Sequence, residues 1–350
     1  MSIVQLRRWR VVIGFATLAL LHLSAVGACL SPDPYAVSST TTLNLLQPTE
    51  CSLGSITVGA GITLSDVGNP NATIQNDGTI TTITNSGTIS GSNGVIYNSE
   101  SSSVITTIIN TGTLSSTNFA IANSGTIQLL NNSGTIRGRL NILNQSGTIT
   151  TLTNTGNIVT TQVGIINQSG FPPFMPHSVI GTLNNLQGAS GTALTYQGRL
   201  PDRYNIIINS PSDFGRLSVL SPSGTTIFGI YAGSTVANGT YSSVLSGLTL
   251  SHLSVTSGTY GAGTWSLMNS SGSIWDLVLS GLTIPPSDPP PSDPPYSDPP
   301  PTNISAGNTV ALSSVGTTAN PVLSGGTLTT LNGEASSLAF SVPVSSTIMA

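Results

Sequence analysis

At 350 residues the chain is long enough for two or three domains, yet only 6% of it is charged and 5% aromatic, it lacks lysine, and Ser, Thr, Asn and Gly abound. Its wealth of Ile, Leu and Val excludes disorder throughout, and so aliphatic a composition suits a long, thin core better than a wide one. The net charge of −4 becomes −7 once residues 1–28 are set aside, five arginines then facing twelve acids; nucleic acid, whose binding leans on phosphate neutralisation, is therefore disfavoured as a partner.

Arg7, Arg8 and Arg10 precede an apolar run from Val11 to Leu23, and Val26-Gly27-Ala28 offers small residues to a peptidase. This reads as a secretory signal peptide over residues 1–28; the run is shorter than the roughly 20 apolar residues of a membrane-spanning helix. The Arg7-Arg8 pair hints at twin-arginine export, although its flanks match that signal poorly. The chain is thus expected to cross the inner membrane and to work at the cell surface, outside the cell, or in the periplasm if its gene is truncated. Cys29 and Cys51 then meet an oxidising compartment. They either close an N-terminal loop as a disulfide, on the order of 3 kcal/mol, or Cys29 is a lipidated first residue, as Val26-Gly27-Ala28-Cys29 suggests, leaving Cys51 unpaired. Residues 29–75, with the turn Pro32-Asp33-Pro34 and alternation from Ser55 to Leu64, are expected to cap the repeats beyond them.

Repeats occupy 76–190. NDGTI (76–80), NSGTI (85–89, 123–127 and 132–136), NTGTL (110–114), QSGTI (145–149) and NTGNI (154–158) share one design, and Gly112 and Gly134, Gly125 and Gly147, and Gly134 and Gly156 each lie 22 residues apart. A constant period of this length indicates a stacked array. The polar pair before glycine reads as a turn, Asn tolerating and Gly supplying positive φ, and Thr-Ile enters a strand. Rungs drawn at 77–98, 99–123, 124–145 and 146–168 align Ile80, Ile127 and Ile149 in one column and Ile89, Leu114, Ile136 and Ile158 in another. Leu130 and Leu152 form a third, Leu140, Ile142, Val163 and Ile165 fill the longer block, and Asn85, Asn132 and Asn154 form an amide ladder. Four buried aliphatics give about 6–12 kcal/mol per rung, less than the cost of ordering its backbone at about 1–2 kcal/mol per residue. A rung therefore needs neighbours. Glycine at this frequency opposes helix, and an antiparallel sandwich would not require a constant period.

The pattern breaks at Phe171-Pro172-Pro173-Phe174-Met175-Pro176. Ile180-Gly181-Thr182-Leu183 echoes the repeat once more, and residues 191–284 carry most of the Tyr and Trp in short alternating runs, read as a further β module or a different β-packing at the solenoid's end. Residues 285–301, PPSDPPPSDPPYSDPPP, read as a polyproline spacer, and 302–350 as the start of another β segment. The predicted fold is all-β: a right-handed parallel β-helix (solenoid) with rungs of about 22 residues, a further β module and a Pro-rich linker.

The signal peptide, the NSGTI-type rungs, YNIIINSPSDFGRLSV (204–219), YSSVLSGLTLSHLSVTSGTYGAGTW (241–265) and NPVLSGGTLTTLNG (320–333) together resemble the passenger region of Gram-negative autotransporters, the type V secretion family. The resemblance covers most of the chain beyond residue 28. It implies a structural or adhesive passenger that meets host or bacterial surface glycans or proteins, associated with the outer membrane through a C-terminal β-barrel. No later stretch here offers the ten-residue lipid-facing strands of such a barrel, so the chain is expected to be the N-terminal part of a longer product or a truncated one.

Chemistry has little foothold. Beyond residue 28 the histidines are His177 and His252, 75 residues apart, without metal-ligand spacing. Asp213-Phe214-Gly215 spells a kinase tripeptide but without a lysine for ATP reads as a turn, and Gly258, Gly261 and Gly263 lack a strand-glycine-helix setting. No cofactor, metal or catalytic residue is expected. A polysaccharide lyase or hydrolase on a β-helix is the enzyme alternative; the array offers it only Asp77, Glu100, Arg137 and Arg139. Arg137 and Arg139 flank Gly138, so both should point outward, as a basic spot for an anionic glycan or as plain solvated surface. Thr81-Thr82 and Thr150-Thr151 raise an ordered ligand array of the ice-binding kind, interrupted by Gln128-Leu129.

Overall fold

The computed structural model describes residues 29–66, 68, 71–168 and 178–282. The signal segment 1–28, the Phe171–Pro176 break, the Pro-rich stretch 285–301 and the segment 302–350 lie outside the described residues. Among the described residues every regular element is a strand except a short 3-10 turn at Leu250–His252, and the strands stack as a parallel β-solenoid of about nine turns averaging ~24 residues.

One turn consists of Thr79–Asn85, Thr88–Gly91 and Gly94–Asn98; the next is Val104–Asn110, Thr113–Ser116 and Phe119–Asn123. Later turns fuse the second and third strands, as in Thr135–Gln145 and Asn157–Gln168. The first strand of each turn joins a ten-stranded sheet running from Tyr35–Val37 to Leu253–Val255, and the remainder joins a sixteen-stranded sheet. Thr79–Asn85, Thr126–Asn132 and Thr148–Asn154 share one burial pattern, with the second, fifth and seventh residues turned in. Stacking then aligns like with like. Leu53, Ile80, Ile105, Ile127, Ile149 and Ile180 form one column and Ile56, Ile83, Ile108, Leu130, Leu152 and Leu183 the next. On the second sheet Leu64, Ile89, Leu114, Ile136 and Ile158 align, as do Ile74, Ile96, Ile121, Ile142 and Ile165. These side chains are essentially excluded from solvent, each contributing about 1.5–3 kcal/mol. Leu140 differs, being only half-buried.

At the seventh position the column is asparagine. Asn85 Nδ2 donates to Asn110 Oδ1 (2.8 Å), Asn110 to Asn132 (2.7 Å), Asn132 to Asn154 (2.7 Å) and Asn154 to Asn185 (3.1 Å). The sequence positions of Asn85, Asn132 and Asn154 thus fall in a longer ladder. A second ladder occupies the other corner: Asn76 donates to Asn98 (2.7 Å), Asn98 to Asn123 (2.8 Å), Asn123 to Asn144 (2.8 Å) and Asn144 to Asn167 (2.8 Å). The same nitrogens also serve backbone carbonyls, as Asn76 Nδ2 does with Gly78 O (3.0 Å) and Val104 O (3.1 Å).

The corner glycines serve a purpose other than positive φ. Gly112, Gly134 and Gly156 are not in the left-handed region. Instead, a Cβ on any of them would lie 2.1 Å from the carbonyl oxygen of the corner glycine one turn earlier. Glycine is required for clearance between turns, and the positive-φ expectation is corrected accordingly.

The stack also extends past the boundaries drawn at residues 75 and 190. Ile56 pairs with Ile83 and Tyr35 with Ile56, in parallel register, so the segment 29–75 forms turns of its own. Beyond 190, Leu183 is followed in its column by Tyr204 and Phe228. The parallel sheet continues to Leu253–Val255, and an antiparallel meander of Gly239–Ser246, Ile274–Ser280, Gly263–Ser271 and Ser257–Tyr260 completes the second sheet. Trp265, Trp275, Leu267, Leu277 and Tyr241 are buried there, and Phe228 meets Trp265 edge-on at 5.4 Å. Such a meander blunts the open end of a stack. Cys29 and Cys51 are joined by a disulfide (Sγ–Sγ 2.04 Å) across 22 residues, enclosing the strands Tyr35–Val37, Thr41–Thr42 and Leu45–Gln47.

This packing can be tested at two points. Asn132→Leu removes both the donor to Asn154 and the acceptor of Asn110, so denaturant unfolding should show a loss of about 2–4 kcal/mol. The outward-facing Asn131→Thr should stay within about 0.5 kcal/mol, and equal midpoints for the two variants would remove the ladder's role. Reducing the Cys29–Cys51 bond should weaken the first turn by about 3 kcal/mol, read as protease nicking between residues 29 and 51 with the later turns intact.

Candidate functional site

Alternate residues that do not enter the core build the outer face of the first sheet. Ser55, Thr82, Thr107, Leu129, Thr151 and Thr182 form one rank, and Thr57, Thr84, Ile109, Asn131, Thr153 and Asn184 a parallel one. Strand spacing sets the step within each rank at roughly 4.8 Å. Leu129 and Ile109 interrupt the hydroxyls, so the threonines do not make a uniform array. Some of the polar groups are already engaged with one another: Asn184 Nδ2 donates to Thr153 Oγ1 (3.0 Å) and Asn205 Nδ2 to Asn184 Oδ1 (2.8 Å).

Arg137 and Arg139 lie on the second sheet, both exposed, with Gly138 buried between them. In register, Arg137 sits between Ser115 and Val159, the latter 47% exposed. Arg139 Nη2 donates to Asn118 Oδ1 (3.1 Å), and Asn118 Nδ2 donates to Asn93 Oδ1 (3.0 Å). The spot is a surface patch of two cations, amides and a valine. Asp77 and Glu100 stand elsewhere, at one corner in consecutive turns, where Ser99 N–H donates to Asn76 O. Asp77 already accepts from Gln75 Nε2 (2.9 Å) and from Ser99 Oγ. The structure does not bring these acids together with Arg137 and Arg139 on one surface strand.

His252 is occupied locally, Nδ1 lying 3.1 Å from Thr249 N and 2.9 Å from Thr249 Oγ1; His177 lies outside the described residues. Asp213–Phe214 pairs antiparallel with Ile208–Ser210 around a tight turn. Gly261 turns the hairpin between Ser257–Tyr260 and Gly263–Ser271. Among the described residues no group of three His, Cys, Asp or Glu could hold a metal ion.

Two shallow depressions mark the end of the ladders. One is lined by Gly156, Gln187 and Thr192, the other by Ser212, Phe214, Arg216 and Thr240. Arg216 was not legible as special, because the residues that gather round it come from three separated segments, at 189, 211–216 and 240–242. Tyr196 and Tyr204, also near this end, are buried. Desolvation raises the hydroxyl pKa of Tyr196, with Asn167 and Arg199 lowering it by less; desolvation likewise raises Tyr204. Tyr196 donates to Arg199 O (2.5 Å), and the buried Tyr204 hydroxyl faces Asn185, which lowers its pKa by less than desolvation raises it.

Both tyrosines therefore stay protonated in the fold above the unfolded value of 10.0. The stability they contribute is full below pH 10 and falls as pH rises toward their folded values. In an alkaline titration, part of the tyrosinate absorbance should appear only together with loss of β circular dichroism. Complete ionisation near pH 10 with the fold intact would contradict the burial.

No protein-family model, curated protein or solved structure matches this chain. What the solenoid does is thus to be read from its own faces.

Proposed function

We propose that the chain is an exported, surface-displayed passenger of the autotransporter type, structural and adhesive in role and without catalytic activity. The observation that supports this reading most is the pair of Ser/Thr/Asn ranks along the first sheet. Ranks at a regular step on a rigid stack favour many weak contacts in parallel, which sum to strong attachment when geometry allows simultaneous engagement. The partners are surface glycans or proteins. The disulfide between Cys29 and Cys51 suits an oxidising compartment; a thioether lipid on Cys29 would need the sulfur that this bond uses. Arg137 and Arg139 add a basic spot to which an anionic glycan can be drawn.

A polysaccharide-cleaving role is the second reading, favoured only by Asp77 and Glu100 sharing a corner. Release of new reducing ends from acidic polysaccharides by the purified chain would support it over the adhesive one.

Cells carrying the gene should adhere to glycan-coated surfaces more strongly than cells without it, and equal adherence would remove the adhesive claim. Arg137→Ser with Arg139→Ser should lower retention on anionic glycans severalfold and leave neutral glycans unaffected. Unchanged binding to both would end the role of that spot.

A further inference from the structure

The five arginines beyond residue 28 meet different fates. Arg199 forms an ion pair with Asp202 (3.1 Å), Arg139 is hydrogen-bonded to Asn118, and Arg137 and Arg203 are exposed. Arg216 is partly buried, its guanidinium carbon lies 5.2 Å from the centre of the Phe214 ring, and its Nε is buried without a hydrogen-bond partner. No acid among the described residues pairs with it. In a chain poor in cations, a half-desolvated guanidinium left without a counter-charge is costly unless something else supplies one.

The base of this side chain is held firmly. Arg216 N–H donates to Gln187 O (3.0 Å), and Arg216 O accepts from Leu194 N (3.0 Å) and from Asn185 Nδ2 (3.2 Å), the last asparagine of the first ladder. Gly188 leaves room for it, since a Cβ there would come within 2.2 Å of Arg216 N. Phe214 is itself fixed, edge-on to Tyr241 at 5.1 Å. Arg216 therefore lines a depression whose other walls are Ala189, Pro211, Ser212, Phe214, Thr240 and Ser242, of which Pro211, Ser212, Thr240 and Ser242 are exposed. A planar cation laid on an aromatic ring, with the hydroxyls of Ser212, Thr240 and Ser242 on the same depression, matches a carboxylate carried on a polyhydroxylated body: the fork takes the carboxylate, the hydroxyls take sugar hydroxyls, and the apolar walls take a sugar face. The shallowness of the depression suits a saccharide, which keeps much of its surface in water.

We infer that the depression around Arg216 is a binding site for the carboxylate of an acidic saccharide, a uronic-acid type of residue. The site deepens the adhesive reading, on which it rests for the source of its ligand. It is tested separately, by calorimetry on the purified full chain with trigalacturonate, the neutral galactose trimer of the same linkage, and acetate. The acidic trimer should bind at least about tenfold more tightly than either of the others, and Arg216→Gln should abolish that difference. Thr240→Glu, an exposed change that sets a carboxylate in the depression, should abolish it too while leaving thermal unfolding unaltered; this variant keeps the test alive should Arg216→Gln fail to fold. Equal binding of the neutral trimer, acetate binding as tight as the acidic trimer, or retention of acidic-trimer binding by Thr240→Glu would each overturn the assignment. Adherence of cells that persists after such a failure would leave the adhesive reading standing, and loss of adherence alone would not touch the site.

Discussion

In the central turns of this solenoid a buried asparagine stands at each of two corners and must find partners for an amide that water can no longer serve. An orphaned buried donor or acceptor costs about 1–3 kcal/mol. The only way to satisfy such a residue in every turn is to place another at the same position in the next. That requirement locks the register: a slip by one residue would bury the outward threonine and expel the amide. The isoleucine columns supply more free energy, but they are tolerant of a slide between neighbouring aliphatics, whereas Asn85 Nδ2 and Asn110 Oδ1 at 2.8 Å are not. The corner glycine belongs to the same constraint. It lets the carbonyl of the preceding turn come close enough for the amide to reach across, as the 2.1 Å clearance at Gly112, Gly134 and Gly156 shows.

Strict stacking inside produces strict spacing outside. Positions not committed to columns or ladders recur at the same step as those that are, while their residues vary, as Leu129 and Ile109 do, so the outer faces become ranks. Two depressions lie where the repeat fails, at the C-terminal end of the ladders. There Gln187 and Arg216 enter the corner, the turn-to-turn distance having already stretched from 22 to 31 residues. Irregularity and chemical variety thus coincide in this molecule.

The regular half of the fold was legible because local residues report it directly. Thr-Ile after glycine marks a strand entry, and a 22-residue recurrence of Gly112, Gly134 and Gly156 marks the stack. The second ladder was harder to see, since Asn98, Asn123, Asn144 and Asn167 are followed by different words, Ser-Glu, Ser-Gly, Gln-Ser and Gln-Ser. The true reach of the solenoid was obscured at both ends. Tyr204 and Phe228 replace aliphatics in a column that had been Ile and Leu, and turn lengths drift. The depression at Arg216 left no local signal, its walls being assembled from residues 189 to 242.

The ladders also have a direction. Every amide hands its N–H toward the C-terminal end, from Asn85 through Asn185 and from Asn76 through Asn167. The oxygens left without a donor are those of Asn76 and Asn85, the first residue of each ladder, and the final donors settle on the backbone carbonyls of Arg216 and Arg199. The unfavourable chemistry is therefore confined to the heads and does not grow with the number of turns. Duplicating or deleting a whole turn between them leaves both termini chemically unchanged, so length is the property of this architecture that can vary most freely, and the number of stacked turns can be altered without redesigning either end.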